Sequence, residues 1–235
     1  MRSGGGARAR NAARADPALR TIWLGLSAAL VLFTVQSAIS LVASLRFHSY
    51  DSVLDLERNN AIPDLVSTAV IVAAALGAVA LALKVRRSRR QATVLAVLLT
   101  LAALDDLLQV EAGAAGAWGR TVFPTVVAAA LLIGWIALQA PPRPRLTLLA
   151  GIFLLAVAVK NAYEYDQLLN LLGRGDEQRG ELDYELGIVL KQGLELFGWS
   201  LVATGLWAAA VGARGRAAAG SAPARRPAVT RSLGA

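Results

Sequence analysis

Residues 188–211 read IVLKQGLELFGWSLVATGLWAAAV. An apolar run of this length covers the ~20 residues that a helix needs to cross a ~30 Å hydrocarbon core. It also carries Lys191 and Glu195, an i, i+4 pair that one helical turn brings together. On a helix, Gly187, Lys191, Glu195, Gly198, Val202, Gly205 and Ala209 recur at i, i+3, i+4 spacing and share one face. Small residues on a transmembrane face mark close contact between helices, so this face is expected to look inward. Phe197 and Trp207 fall elsewhere on the helix and are expected to face lipid.

Working outward, five more apolar segments precede this one. The six spans are read at about 21–45, 63–83, 92–110, 122–140, 146–165 and 186–211. Of the 235 residues, 56% are hydrophobic and 17% charged, and the mean hydropathy is +0.52. The apolar residues stand in unbroken blocks rather than amphipathic stripes, the pattern of bilayer spans. The first segment is too long for a signal-peptide core and lacks a small-residue cleavage site, so it is read as a helix. The expected fold is all-α, a polytopic six-transmembrane-helix bundle over 21–211. No internal repeat relates its two three-span halves.

Orientation follows from the basic residues. The regions before span one, between spans two and three (KVRRSRR), between spans four and five (PPRPR) and after span six hold 17 of the 24 Lys and Arg. Of the 16 acidic residues those regions hold only Asp16. Both termini are therefore expected on the cytoplasmic side of the plasma membrane. The tails 1–20 and 212–235, rich in Gly, Ala, Arg, Pro and Ser, are expected to be disordered. Their charge is read as setting topology, with no nucleic-acid partner. On the outer side, 46–62 mixes acids with Leu and Val. The fifth span runs on through YEYDQLLNLL to about 172, and the sixth begins early, near Glu181. The picture is an acidic helical hairpin at about 164–186, a surface for a membrane partner or a second copy of the chain.

Climbing ~1.5 Å per residue from the cytoplasmic end of each span puts the polar groups at one depth. Asp105 and Asp106 lie about 22–24 Å up, Lys160 about 22 Å, Glu164 and Glu195 about 28 Å, Lys191 about 34 Å and Gln36 about 24 Å. Charges so deep normally face the bundle interior or a wet cavity. Lysine sharpens the pattern. The chain has 21 Arg and three Lys, and two of those lysines, Lys160 and Lys191, are in or beside this layer. Arginine keeps its proton, whereas a buried lysine can lose it. Two readings stay open. Lys160–Glu164 and Lys191–Glu195 could each neutralise themselves as structural i, i+4 pairs. Alternatively, these residues with Asp105, Asp106 and Gln36 form a ligand- or proton-binding cluster.

Several chemistries are excluded. The chain lacks cysteine, which removes disulfides, thiolate metal sites and cysteine nucleophiles. Its one histidine, His48, cannot build a multi-histidine zinc site. The D-x-x-D-G-x-x-A-R pattern of CDP-alcohol phosphotransferases, the G-x-S-x-G elbow and the phosphate-binding glycine loop are absent. No cofactor is expected. A carboxylate-only site for Mg²⁺, Mn²⁺ or Ca²⁺, and an acid–base carboxylate pair, remain as minor readings. The leading expectation is a non-enzymatic membrane protein that binds or conducts a small cation or protons. A structural or accessory subunit stands close behind.

Overall fold

The computed structural model describes residues 16–47, 62–108, 118–172 and 182–220, with side chains described for 16–39, 41–42, 65–104, 125–159, 187 and 189–213. Among them stand six α-helices: α1 (Pro17–Phe47), α2 (Ile62–Lys84), α3 (Arg89–Leu108), α4 (Trp118–Gln139), α5 (Pro142–Leu172) and α6 (Leu182–Gly220). One 3₁₀ turn, Arg86–Ser88, joins α2 to α3, and the described residues form no strand. Four helices hold stretches long and apolar enough to cross a membrane: Pro17–Ile39, Leu65–Lys84, Pro142–Val159 and Val189–Ala213. In α4 the apolar stretch, Thr125–Gln139, is shorter.

Each helix overlaps an expected span, and the differences lie at the ends. Helix α1 begins at Pro17 rather than 21, because Asp16 accepts hydrogen bonds at Oδ1 from the amides of Ala18 (3.0 Å) and Leu19 (3.5 Å). An aspartate N-cap followed by proline is a strong helix start. Helix α6 runs to Gly220, past the expected end at 211. Alanine and arginine in GARGRAAAG are good helix formers and no proline intervenes. Helix α4 begins at Trp118, so Pro124 lies in its second turn rather than at its start. The region 46–62 and the tip of the 164–186 hairpin lie largely outside the described residues.

Polarity inside and outside the bundle is reversed from that of a water-soluble protein. The core is dominated by alanine, with Ala74, Ala78, Ala92, Ala137, Ala208 and Ala210 fully buried. Large apolar side chains point outward, among them Trp23 (63% exposed), Leu83 (76%) and Leu131 (70%). A soluble monomer rarely presents so extensive an apolar surface. Small residues between helices and large ones outside suit a lipid solvent, in which close packing replaces water exclusion as the force between helices.

Helix α6 is the centre. Of its apolar stretch 67% is buried, against 17–50% in the other three, because α1, α2 and α5 all pack on it. The contact with α5 is closest and antiparallel. A methyl at Gly205 would touch Leu148, and one at Gly198 would touch Leu155, while Gly151 meets the Gly198 carbonyl and Val202. Gly198 and Gly205 are thus seven residues apart, as are Leu148 and Leu155, and two heptads of one seam interlock. Helix α1 also runs antiparallel to α6, pairing Ala18 with Gly212, Gly25 with Thr204, and Phe33 with Gly193 and Phe197. On the third side, α2 receives Trp207, whose Nε1–H donates to the Ala73 carbonyl at 2.9 Å. The expectation that Phe197 and Trp207 face lipid is therefore wrong. Phe197 stacks edge-on against Phe33 with centroids 5.3 Å apart, and Trp207 fills the α2 interface. A helix gripped on three sides leaves its aromatic residues among neighbours.

The basic connections meet at one end of the bundle. Arg143, opening α5, pairs with Asp16, which caps α1. Ser88 of the α2–α3 turn donates to Gln139 at the end of α4 (3.3 Å). Arg145 donates to the carbonyls of Ala137 (3.2 Å), Leu138 (2.9 Å) and Ala140 (3.2 Å). It thereby caps the C-terminus of α4, where a cation also complements the helix dipole.

The seam gives a direct test. At Gly151 a methyl would stand 2.9 Å from the Gly198 carbonyl oxygen and 3.0 Å from the Val202 amide nitrogen, backbone atoms that cannot rotate away. At Gly134 a methyl would meet nothing within 4 Å. Thermal unfolding in detergent should find Gly151→Ala destabilised by about 1–3 kcal/mol. Gly134→Ala should be neutral or stabilised by up to about 1 kcal/mol.

Candidate functional site

Registers set by the packing of α6 place the polar residues. On α1, Gln36 and Ser37 lie one turn beyond Phe33, which packs on Gly193 and Phe197. They therefore stand level with the first turns of the α6 span, where Lys191, Gln192 and Glu195 sit. On α5, carrying the Leu148–Gly205 and Leu155–Gly198 register forward one residue for one residue puts position 160 level with 193, and position 164 level with 189. On α2, Gly77 packs on Leu206 and Trp207, and the two helices run in the same direction. Ser67 and Thr68 thus stand level with about Leu196–Phe197.

Helix α3 reaches the same level by a different route. Asp105 lies as many residues above Arg89 as Thr68 lies below Lys84, so the α2–α3 hairpin brings both to about 24 Å from its turn. The backbone thus places Asp105, Asp106, Lys160 and Glu164 in the layer, while their side chains lie outside those described. Gln36, Lys191 and Glu195 have described side chains, and the α1–α6 register puts them at a similar level along the bundle.

The sequence reading missed four members. Ser37 (7% exposed), Ser67 (7%) and Thr68 (8%) are buried hydroxyls in this layer, and Gln192 lies beside them. Ser37 follows Phe33 by four residues on the face that meets α6, a spacing visible in the sequence. Ser67 and Thr68 mirror Asp105–Asp106 across the turn. A charge-only search along each helix passes over all four.

Two features define the electrostatics. Gln36 Oε1 and Ser37 Oγ are buried and have no hydrogen-bond partner among the described residues. Each such orphan atom costs roughly 1–3 kcal/mol in a dry interior. By contrast, Glu195, Gln192 and Thr68 are each engaged in an interaction. Lys191 is half-buried and makes no ion pair with a described residue. The i, i+4 neutralisation of Lys191 by Glu195 that the spacing permits is therefore not formed. Among the described residues no three His, Asp or Glu stand close enough to hold a metal ion.

Chemically, the layer holds two buried oxygens without partners among the described residues, an ammonium group and an engaged carboxylate at a similar level. No protein-family model, no curated protein and no solved structure matches the chain.

Because neither oxygen has a partner among the described residues, apolar replacement removes a cost without losing a bond. Gln36→Leu and Ser37→Ala should each hold or raise stability, by up to about 1–3 kcal/mol. Measured unfolding of these variants in detergent checks this, with Thr204→Ala as the contrast. Thr204 donates to the Ser200 carbonyl at 2.6 Å, so its loss removes a bond that is made.

Proposed function

We propose that the chain is a six-span membrane protein, both termini cytoplasmic, whose outer-third polar layer binds or conducts a small cation or protons. The observation that carries this reading is the pair of buried oxygens without a hydrogen-bond partner among the described residues, Gln36 Oε1 and Ser37 Oγ, at the level the register gives to Lys191 and Glu195. Apolar packing has no use for orphan acceptors, and buried polar groups without partners are rare in folded proteins. A cation, a hydronium ion or a protonated chain of waters would satisfy them. Polar chains of this composition within spans are the usual proton relays and ion paths. Orientation is supported by the clustering of Lys84, Arg86, Arg87, Arg89, Arg90, Arg143 and Arg145 at one end of the bundle. By the positive-inside rule that end faces the cytoplasm.

A second reading keeps its own support. Glu195 is already engaged within the protein, as expected if charges in this layer fix helix register in an accessory subunit. Partners would then bind through the hairpin between α5 and α6.

Liposomes separate the two. Purified protein is reconstituted with an internal pH dye, and a pH step is imposed with and without Na⁺, K⁺ or tetraethylammonium outside. Wild type should dissipate the step faster than protein-free liposomes. Glu195→Gln and the double variant Asp105→Asn/Asp106→Asn should slow it at least about tenfold, equivalent to ~1.4 kcal/mol on the barrier, without lowering thermal stability. Wild-type rates equal to those of protein-free liposomes under every cation condition would overturn conduction in favour of the structural reading.

A further inference from the structure

Running up from the basic end, α2 and α3 leave a groove of about 390 Å³ that stops at Leu101, one helical turn short of Asp105. Its walls are Val79, Ala82 and Leu83 of α2 and Arg89, Thr93, Ala96, Val97, Thr100 and Leu101 of α3. The two threonines do not make it polar. Thr93 Oγ1–H donates to the Arg89 carbonyl at 2.9 Å, and Thr100 Oγ1–H to the Ala96 carbonyl at 2.8 Å. Both hydroxyls are satisfied by their own helix, so the threonines present methyl groups, and the groove is apolar above Arg89.

Its dimensions and charge select an occupant. Residues 89, 93, 96, 97, 100 and 101 follow one helical face, and from Arg89 to Leu101 the wall rises about 18 Å. That is close to the ~15 Å of hydrocarbon in one leaflet. Arg89 stands at the mouth, with Arg86, Arg87 and Arg90 adjacent in the chain; all four are exposed, and none has a carboxylate partner among the described residues. Helix α3 also has no acidic residue in its first turn to offset them. Four cations within five residues repel one another, and an anion at Arg89 relieves that repulsion.

We propose that this groove is a binding site for one anionic phospholipid, its acyl chain along Val97 and Leu101 and its phosphate on Arg89 and the flanking arginines. Its head-group end, at Arg89, does not depend on any ligand in the polar layer about 24 Å away along α3. Basic pockets between transmembrane helices hold acidic head groups through this combination of charge and an apolar slot. A second copy of the chain would bring its own arginines to the same mouth, which the charge disfavours.

The test is lipid retention by the full-length chain, read by native mass spectrometry after incubation with equimolar phosphatidylglycerol and phosphatidylcholine in neutral detergent. Both lipids carry a phosphate, but choline's cation cancels it in phosphatidylcholine, so wild type should retain the net-anionic phosphatidylglycerol at least about fivefold over phosphatidylcholine, the ratio expected from one arginine near an uncompensated negative charge. Arg89→Ala should lose that preference while still retaining lipid. Val97→Trp, which fills the slot at an exposed position, should lose retention of both lipids with thermal stability unchanged. Equal retention of the two lipids by wild type would overturn the assignment. Retention and preference unchanged in both variants would do the same, as would a dimer that Val97→Trp dissociates, which would give the groove to a second copy.

Discussion

Everything in the bundle depends on how closely α5 can approach α6. Gly198 and Gly205 turn bare backbone towards Leu155 and Leu148, and Gly151 returns the contact against the Gly198 carbonyl. In lipid no hydrophobic force drives helices together, so association rests on dispersion contacts made at short range. Glycine permits that range at a cost in helix propensity of about 1 kcal/mol per residue. The interlocked seam offsets this by fixing one register, since a slip by one residue would drive leucine side chains into backbone. With α1 and α2 closing on the other sides, α6 becomes a ruler along which three partners are aligned.

That alignment gathers polar residues that are far apart in the chain. Gln36 and Ser37 come from α1, Ser67 and Thr68 from α2, and Lys191, Gln192 and Glu195 from α6. Backbone registers carry positions 105, 106, 160 and 164 to the same level. The two ends of the bundle are consequently unlike. One is basic and held by short connections, with Arg145 capping α4 and Arg143 meeting Asp16. The other ends in a layer whose acceptors are only partly satisfied. Residues that weaken packing without an evident structural return are a frequent mark of function.

Much of this was legible in the residues. Unbroken apolar blocks located the helices, and the spacing of Gly198, Val202 and Gly205 identified the α6 face that packs. The depth reckoning from basic ends is good only to about two turns, because the α5–α6 packing sets position 145 level with 208, six residues short of the Arg214 from which α6 was counted. What failed depended on neighbours. Phe197 and Trp207 read as lipid-facing because a single helix shows one packed face, whereas α6 has three partners. Ser37, Ser67 and Thr68 escaped because a hydroxyl in an apolar run usually bonds its own backbone, as Thr21, Thr34 and Thr204 do. Only packing reveals a hydroxyl that does not, as at Ser37. Arg145 read as a topological charge, and its role as a cap needed the fold of the α4–α5 connection.

The most direct test of the central claim, that packing on α6 sets the level of the polar layer, is cross-linking in native membranes. The chain has no cysteine, so paired cysteines can be introduced without background. Ser37→Cys with Val189→Cys joins positions that the α1–α6 register places side by side, while Ser37→Cys with Thr204→Cys joins positions about 22 Å apart along the helix. The expected result is rapid disulfide formation in the first pair under mild oxidation and none in the second. Cross-linking of the second pair, or of neither while Phe33→Cys/Phe197→Cys also stays open, would contradict the register and with it the gathering of these residues.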